Sequence, residues 1–180
     1  MRIGIDFDNT IACYDGVFHK AALERGLIPA DLGASKNAVR DYLNGSGRKD
    51  DFTELQGYVY GARMDLVSPY AGFEGFLRAA NAAGHDLFIV RTPMMGPAYD
   101  MHQAARGFLE ARGFVGETGI RSGNAFFELT KEEKVARAAA LGVDVFIDDL
   151  PEILSMNGFP SGMRGILFDP DGHHAALGRF

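Results

Sequence analysis

The sequence predicts an α/β protein, with a doubly wound parallel sheet and a small α-helical segment inserted after the first strand. Three observations support this prediction. Short apolar runs alternate with amphipathic helical patterns, which is typical of parallel strands joined by crossover helices. Residues 14–68 interrupt this alternation with helical patterns only. The length of 180 residues, 47% of them hydrophobic, allows one domain with a modest insertion.

Five short apolar runs are the predicted strands. The first, at residues 3–7, is rich in isoleucine and phenylalanine, which favour strands. The other four lie at residues 87–90, 125–127, 143–147 and 166–168.

Four helical patterns separate or follow these runs. Residues 73–84 and 101–113 each carry an apolar face and end at a glycine, which commonly stops a helix. A third helix opens with Thr130-Lys131-Glu132-Glu133, a capping box, and ends near Gly142. A fourth is expected to begin within residues 149–152.

The insertion is predicted to contain three helices. They are expected at residues 15–25, 35–43 and 51–60. We therefore expect residues 1–13 and 69–180 to form the sheet domain and residues 14–68 to form a separate helical part.

Composition excludes several classes of protein. The net charge of −6 disfavours binding to a nucleic acid polymer, because such proteins are normally basic. The single cysteine, Cys13, cannot form an internal disulfide. No apolar run approaches the roughly 20 residues of a membrane span. We expect a protein of the reducing cytoplasm, with no membrane partner and an oligomeric state that the sequence does not predict.

Two pairs of carboxylates follow predicted strands. Asp6 and Asp8 end the first strand and, two residues apart, point to the same side of an extended chain. Asp148 and Asp149 follow the fourth strand. Ligands of open parallel sheets bind beyond the carboxyl ends of the strands. Clustered carboxylates repel one another unless a cation lies between them. An all-oxygen set without Cys or His favours Mg²⁺, which commonly also binds a substrate phosphate.

A hydroxyl and two lysines are expected at the same edge. Thr92 follows the second strand, and Lys131 and Lys134 lie in the first turn of the helix after the third strand. A cation there opposes the helix dipole by about 0.3–1 kcal/mol. Because helical side chains lean toward the N-terminus, Lys134 can reach toward the acids, where an anionic substrate would compensate it.

In this order the motifs resemble those of the haloacid dehalogenase (HAD) superfamily. The segment Asp6-Phe7-Asp8-Asn9-Thr10 resembles motif I, an Asp-x-Asp-x-Thr on the first strand. Thr92 resembles motif II, Lys134 or Lys131 resembles the motif III lysine, and Asp148-Asp149 resembles the acidic motif IV. The resemblance implies a Rossmann-like, HAD-like core and makes residues 14–68 a small C1 cap. The segments Arg91-Thr92-Pro93 and 147–151 are also similar to the 5'(3')-deoxyribonucleotidase branch.

The resemblance implies catalytic roles. Asp6 would be the nucleophile that forms an aspartyl-phosphate, and Asp8 the general acid and then the general base. Thr92 would donate to a phosphoryl oxygen, and Lys134 would stabilise the phosphate and Asp6 electrostatically. Lys134 is preferred over Lys131 because the apolar face of the helix begins at Val135.

The resemblance also implies a metal site and a reaction class. Mg²⁺ would be held by Asp6, the backbone carbonyl of Asp8, and Asp148 and Asp149, directly or through water. Within the superfamily, dehalogenases lack the second acid and P-type ATPases carry Thr there, so Asp8 favours a phosphatase or a phosphomutase.

Four further residues are candidates for contact with substrate, each with an alternative. Thr10 either serves the catalytic loop or caps its turn. Arg91 either contacts the phosphate or pairs with an acid. Tyr58 either stacks on a base or packs in a core. Lys131 either assists Lys134 or lies solvated on the surface.

The predicted function is a Mg²⁺-dependent phosphatase acting on a small phosphorylated metabolite, a nucleotide or a sugar phosphate. Two alternatives stay open. One is a phosphomutase or phosphotransferase of the same superfamily, and the other is a protein that binds a phosphorylated ligand without turnover. The sequence does not identify the ester.

Overall fold

The structure, a computed structural model, describes residues 1–92, 100–116 and 118–177. Within this part of the chain the strands are β1 (Arg2–Ile5), β2 (Ala12–Cys13), β3 (Ser68–Pro69), β4 (Asp86–Arg91), β5 (Ala125–Phe127), β6 (Val145–Asp148) and β7 (Arg164–Leu167). Five of them form one sheet in the order β5-β4-β1-β6-β7, with every pair parallel. The α/β fold with a parallel sheet is therefore confirmed.

The strand boundaries differ from the predicted ones where turns intervene. The first strand ends at Ile5 instead of residue 7, because the carbonyl oxygen of Phe7 accepts hydrogen bonds from the amides of Ile11 and Ala12 and closes a turn. The two-residue strands β2 and β3, which pair with each other, were not predicted. Strands that short show no hydrophobic period.

Every predicted helix is present. The helices are α1 (Val17–Glu24), α2 (Lys36–Gly45), α3 (Lys49–Gly61), α4 (Phe73–Ala82), α5 (Met101–Ala111), α6 (Lys131–Ala140) and α7 (Pro151–Leu154), with short 3-10 helices at Met64–Leu66 and Ala175–Leu177. The capping box that opens α6 is formed by Thr130 and Glu133. In the described ranges no helix is both long and apolar enough to cross a bilayer.

Both faces of the large sheet are buried. Along β4 alternate side chains point to opposite faces. Phe88 and Val90 pack in a cluster with Val135 of α6 and Ile153 of α7. Leu87 and Ile89, on the other face, are also buried. This burial explains why the strand reads as an uninterrupted apolar run, as expected of a parallel sheet covered on both sides.

The chain divides into two compact units. The first comprises Met1–Ala12, Pro69–Pro93 and Glu110–Phe180 and contains the large sheet. The second comprises Cys13–Ser68 and Met94–Leu109. Within the second unit α1, α2 and α3 pack against one another. The second unit therefore includes the insertion, residues 14–68, together with most of α5. The role of the insertion as a cap stays a prediction.

Candidate active site

The register of the sheet brings the two acidic segments together. Ile5 of β1 aligns with Ile147 of β6, and the amide of Asp6 donates to the carbonyl of Ile147 at 2.8 Å. Asp6 therefore lies beside Asp148 at the carboxyl ends of adjacent strands. From β1 the chain moves outward through β4 and β5 and then returns to β6 on the other side of β1. Such a reversal is where open α/β sheets bind their ligands.

Lys134 joins the two acidic segments. Its Nζ lies 2.5 Å from Oδ1 of Asp6 and 2.6 Å from Oδ2 of Asp148. All three side chains are at most 5% exposed. Lys134 therefore contacts both acidic segments, and its catalytic role stays a prediction. The position of Lys134 in the helix explains this contact, because Lys134 directly precedes Val135 and both residues are buried in α6.

Burial and crowding perturb the charges of this cluster. Burial, with repulsion from Asp148, Asp8 and Asp149, raises the pKa of Asp6 well above its usual value, although Lys134 opposes the shift. Burial alone would lower the pKa of Lys134, but attraction to Asp6 and Asp148 outweighs it and raises that pKa. The cluster carries more negative charge than Lys134 can compensate.

The pKa of Asp149 is raised to about 7. Burial is the largest cause and repulsion from Asp148 adds to it, while Lys134 and a hydrogen bond from Asn9 oppose the shift. Asp149 does not cap α7, whose N-cap is Leu150. A helix-capping role therefore does not account for Asp149.

The acids fit a hard divalent cation. Asp6, Asp148 and Asp149 each offer an oxygen, and these oxygens lie within 4.8 Å of one another. Oδ1 of Asp148 accepts from the amide of Leu150 at 2.9 Å, and its buried Oδ2 lies 2.6 Å from Nζ of Lys134. An all-oxygen set of this kind suits Mg²⁺.

Asn9 is a site residue to which the sequence reasoning assigned no role. Its φ of 55° lies in the left-handed region, which Asn tolerates better than most residues. This conformation lets the turn after Phe7 close, and the side chain then bonds to Asp149. The available signal was an Asn in a turn directly after a strand.

Asp8 is held by Arg91. Nε and Nη2 of the guanidinium donate to the two carboxylate oxygens at 2.6 and 3.0 Å. The guanidinium also lies 4.9 Å from the centre of the Phe7 ring. Arg91 is 1% exposed, whereas the side chain of Asp8 is 21% exposed. Of the two readings of Arg91, the structure supports pairing with an acid.

The two threonines differ in their partners. Thr10 is buried, and its hydroxyl donates to Oδ2 of Asp6 at the long distance of 3.5 Å. The hydroxyl of Thr92 donates to the backbone oxygen of Thr130 at 3.3 Å. Thr92 thus lies between the end of β4 and the start of α6, and a contact with a phosphoryl oxygen stays a prediction.

Two other candidates lie away from the acids or in the other unit. Lys131 is exposed and pairs with Glu152 at 2.9 Å, so the structure does not bring it to the cluster around Asp6. Tyr58 belongs to the second unit, where the guanidinium of Arg25 lies 5.1 Å from its ring centre. Pro93, part of the segment similar to the nucleotidase branch, lies outside the described residues.

Solved structures matched by this chain include several HAD hydrolases. A HAD family hydrolase of Salmonella enterica serovar Typhi is 17% identical over 87% of this chain, with a TM-score of 0.49, and the chain covers only 60% of that protein. A haloacid dehalogenase-like hydrolase of Xanthomonas campestris is 14% identical, with 98% of this chain and 94% of that one covered and a TM-score of 0.49. A HAD-superfamily hydrolase, subfamily IA, variant 1, of Geobacter sulfurreducens is 12% identical over 92% and 85%, also with a TM-score of 0.49.

The sequence matches no protein-family model and no curated protein. The structural matches are distant in sequence, so the functional argument depends on the residues of the site.

Proposed function

We propose that this chain is a Mg²⁺-dependent phosphatase of the HAD type, which hydrolyses a small phosphate monoester through an aspartyl-phosphate on Asp6. The single observation that carries the proposal is the buried carboxylate of Asp6, flanked by Lys134 at 2.5 Å and by Asp148 and Asp149 at the switch point of the sheet. Structural stability alone does not account for so many buried acids around one lysine.

In the first step an oxygen of Asp6 attacks phosphorus. The bond from phosphorus to the ester oxygen breaks, and Asp8 gives a proton to that oxygen, so the alcohol leaves neutral. Lys134, which already contacts Asp6, compensates negative charge on the nucleophile and on the phosphoryl oxygens.

In the second step water attacks the phosphorus of the aspartyl-phosphate. Asp8, now ionised, accepts a proton from this water, the bond between phosphorus and Asp6 breaks, and inorganic phosphate is released. The partial exposure of Asp8 supports this role, because proton transfer requires access to substrate and water.

The metal would be held by Asp6, Asp148 and Asp149, together with the backbone carbonyl of Asp8. When bound, Mg²⁺ neutralises phosphate charge so that an anionic carboxylate can approach phosphorus. The oxygen-only donor set supports this assignment.

The substrate is proposed to be a small metabolite, a nucleotide or a sugar phosphate, with the insertion acting as a cap over it. A cap that closes over a small ester excludes water during the first transfer. A cytoplasmic location belongs to the same proposal and is supported by the lone Cys13, which suits a reducing compartment.

The test is phosphate release from a panel of nucleotides, sugar phosphates and aryl phosphates, with Mg²⁺ and with a chelator. We expect turnover of at least one ester with Mg²⁺ and none with the chelator. Asp6→Asn should lower turnover by 10³-fold or more, on the order expected for loss of a nucleophile.

The matched control is Asp171→Asn, the same substitution at an exposed aspartate whose carboxylate lies 3.8 Å from the imidazole of His173. It should retain full activity. Turnover by Asp6→Asn at the wild-type rate would contradict the mechanism. Phosphate binding with Mg²⁺ but no turnover of any ester would favour a binding protein, and activation by a sugar bisphosphate would favour a phosphomutase.

A further inference from the structure

Arg91 is almost completely buried at the end of β4, next to the predicted motif II threonine. A buried guanidinium requires a partner, and two of its nitrogens donate to the two oxygens of Asp8. This bidentate arrangement fixes both the position and the plane of a carboxylate, which one hydrogen bond does not.

Arg91 is itself fixed by its surroundings. Its guanidinium lies against the ring of Phe7, the residue between the two aspartates of motif I. Its backbone oxygen accepts from the amide of Glu128 at 2.8 Å, one hydrogen bond beyond the paired end of β5. The sheet therefore holds the arginine, and the arginine holds Asp8.

Direct contact between Arg91 and a substrate phosphate fits this geometry poorly. Nε and Nη2 are committed to Asp8, and the residue is 1% exposed. Asp8 has the opposite character, because its side chain keeps 21% of its surface exposed. Each of its carboxylate oxygens accepts a hydrogen bond from Arg91. The buried Arg91 therefore fixes the orientation of the Asp8 carboxylate, which is partly exposed.

We propose that Arg91 is a positioning residue, which orients the Asp8 carboxyl group toward the ester oxygen of the substrate. The inference rests on the proposed function and adds a residue to it. Asp8 delivers its proton to the ester oxygen as the Asp6–phosphorus bond forms, and later takes a proton from water as that bond breaks. Arg91 keeps its own protons throughout and touches no reacting atom.

The experiment compares two substrates of similar shape that depend differently on a general acid. p-Nitrophenolate leaves as a stable anion, whereas phenolate benefits more from protonation. With Mg²⁺ present, Arg91→Lys keeps the charge but loses the bidentate geometry. It should lower kcat/KM for phenyl phosphate on the order of 100-fold and that for p-nitrophenyl phosphate by less than about fivefold.

Arg137→Lys is the control, because Arg137 makes an ordinary surface ion pair with Glu128 and lies outside the site. It should leave both constants unchanged. Equal losses for the two esters in Arg91→Lys would overturn the positioning role and leave the proposed phosphatase intact. A wild-type protein that hydrolyses no ester of the panel described above would overturn the proposed function, and this inference with it.

A second pair of variants covers the case in which Arg91→Lys does not fold. Asp8→Asn and the double variant Asp8→Asn/Arg91→Gln both remove the buried ion pair, the second without leaving a charge behind. If Arg91 acts through Asp8, the two should have the same kcat/KM for p-nitrophenyl phosphate, within about threefold. A further loss of tenfold or more in the double variant would show that Arg91 acts independently of Asp8 and would overturn the inference.

Discussion

The charged groups at the sheet edge and those on the insertion differ in burial and in balance. On the insertion, Arg25 pairs with Glu54 and Arg48 with Asp51, and every one of these side chains is at least 29% exposed. At the sheet edge the side chains of Asp6, Lys134 and Asp148 are at most 5% exposed. Water screens the first group, so its pairs contribute little in either direction. The second group pays a desolvation penalty that one lysine does not offset.

This difference is the one expected between structural charges and the charges of the proposed site. The Arg25–Glu54 and Arg48–Asp51 pairs each match one cation with one acid at the surface, which needs no ligand. The sheet edge instead gathers Asp6, Asp148 and Asp149 around Lys134, with Asp8 already paired to Arg91. A bound cation would stabilise this excess of buried negative charge. The site lies at the carboxyl ends of the strands, where open α/β sheets bind their ligands.

For this comparison the largest expected difference is between variants of the two lysines of α6, which lie three residues apart. Lys134→Met removes the cation that contacts Asp6 and Asp148 and should lower kcat by about 10²- to 10³-fold. Lys131→Met breaks only the exposed pair with Glu152 and should stay within about threefold of wild type. Steady-state kinetics of the two variants, with circular dichroism to check folding, tests the comparison. Equal losses would contradict it.

A smaller effect is expected on Mg²⁺ binding as the pH changes. Burial and repulsion from Asp148 raise the pKa of Asp149 to about 7, so this acid is partly protonated in the metal-free protein near neutral pH. Burial also raises the pKa of Asp6. Because the metal binds the charged forms, its binding should release protons, and affinity should increase between pH 6 and pH 8, by up to about tenfold per pH unit for each proton released.

Calorimetric titration of Mg²⁺ in two buffers of different ionisation enthalpy measures this proton release directly. The Asp149→Asn variant should bind Mg²⁺ more weakly and with a shallower pH dependence. An affinity that is the same at pH 6 and pH 8 would mean that these acids are not the ligands.

The smallest expected effect lies on the insertion. Glu54→Gln removes the surface pair with Arg25 and should change the free energy of unfolding by less than about 1 kcal/mol. Urea unfolding with and without about 0.5 M added salt checks this value, since salt should screen the pair and abolish the small difference between the variant and the wild type. If the free energy of unfolding decreased by several kcal/mol, the pair would be important for stability, and the comparison with the sheet edge would fail.

The sequence predicted much of the fold because local patterns carry it. Residues 87–90 read as a buried strand, and Thr130 with Glu133 reads as a helix start, and both are present. Lys134 was preferred over Lys131 from its place beside Val135, and the structure brings it to Asp6. These features depend on spacing within one element.

Features that depend on contacts between distant segments are harder to predict from the sequence. The partner of Arg91 follows from the pairing of β1 with β4, because Ile5 opposite Ile89 places Phe7 and Asp8 near the end of β4. The sequence left that partner open. Likewise, the grouping of Met94–Leu109 with the insertion is a property of packing and leaves no pattern in the chain.

The most direct test of the account is detection of the phosphate on Asp6 itself. The protein would be mixed with Mg²⁺ and p-nitrophenyl phosphate, quenched in acid within the first turnover, and digested for mass spectrometry. The account predicts one added phosphoryl group on the peptide that contains Asp6, sensitive to hydroxylamine as an acyl phosphate should be, and absent from Asp6→Asn. Turnover with no phosphoryl group on that peptide at any quench time would contradict it and point to direct attack by water.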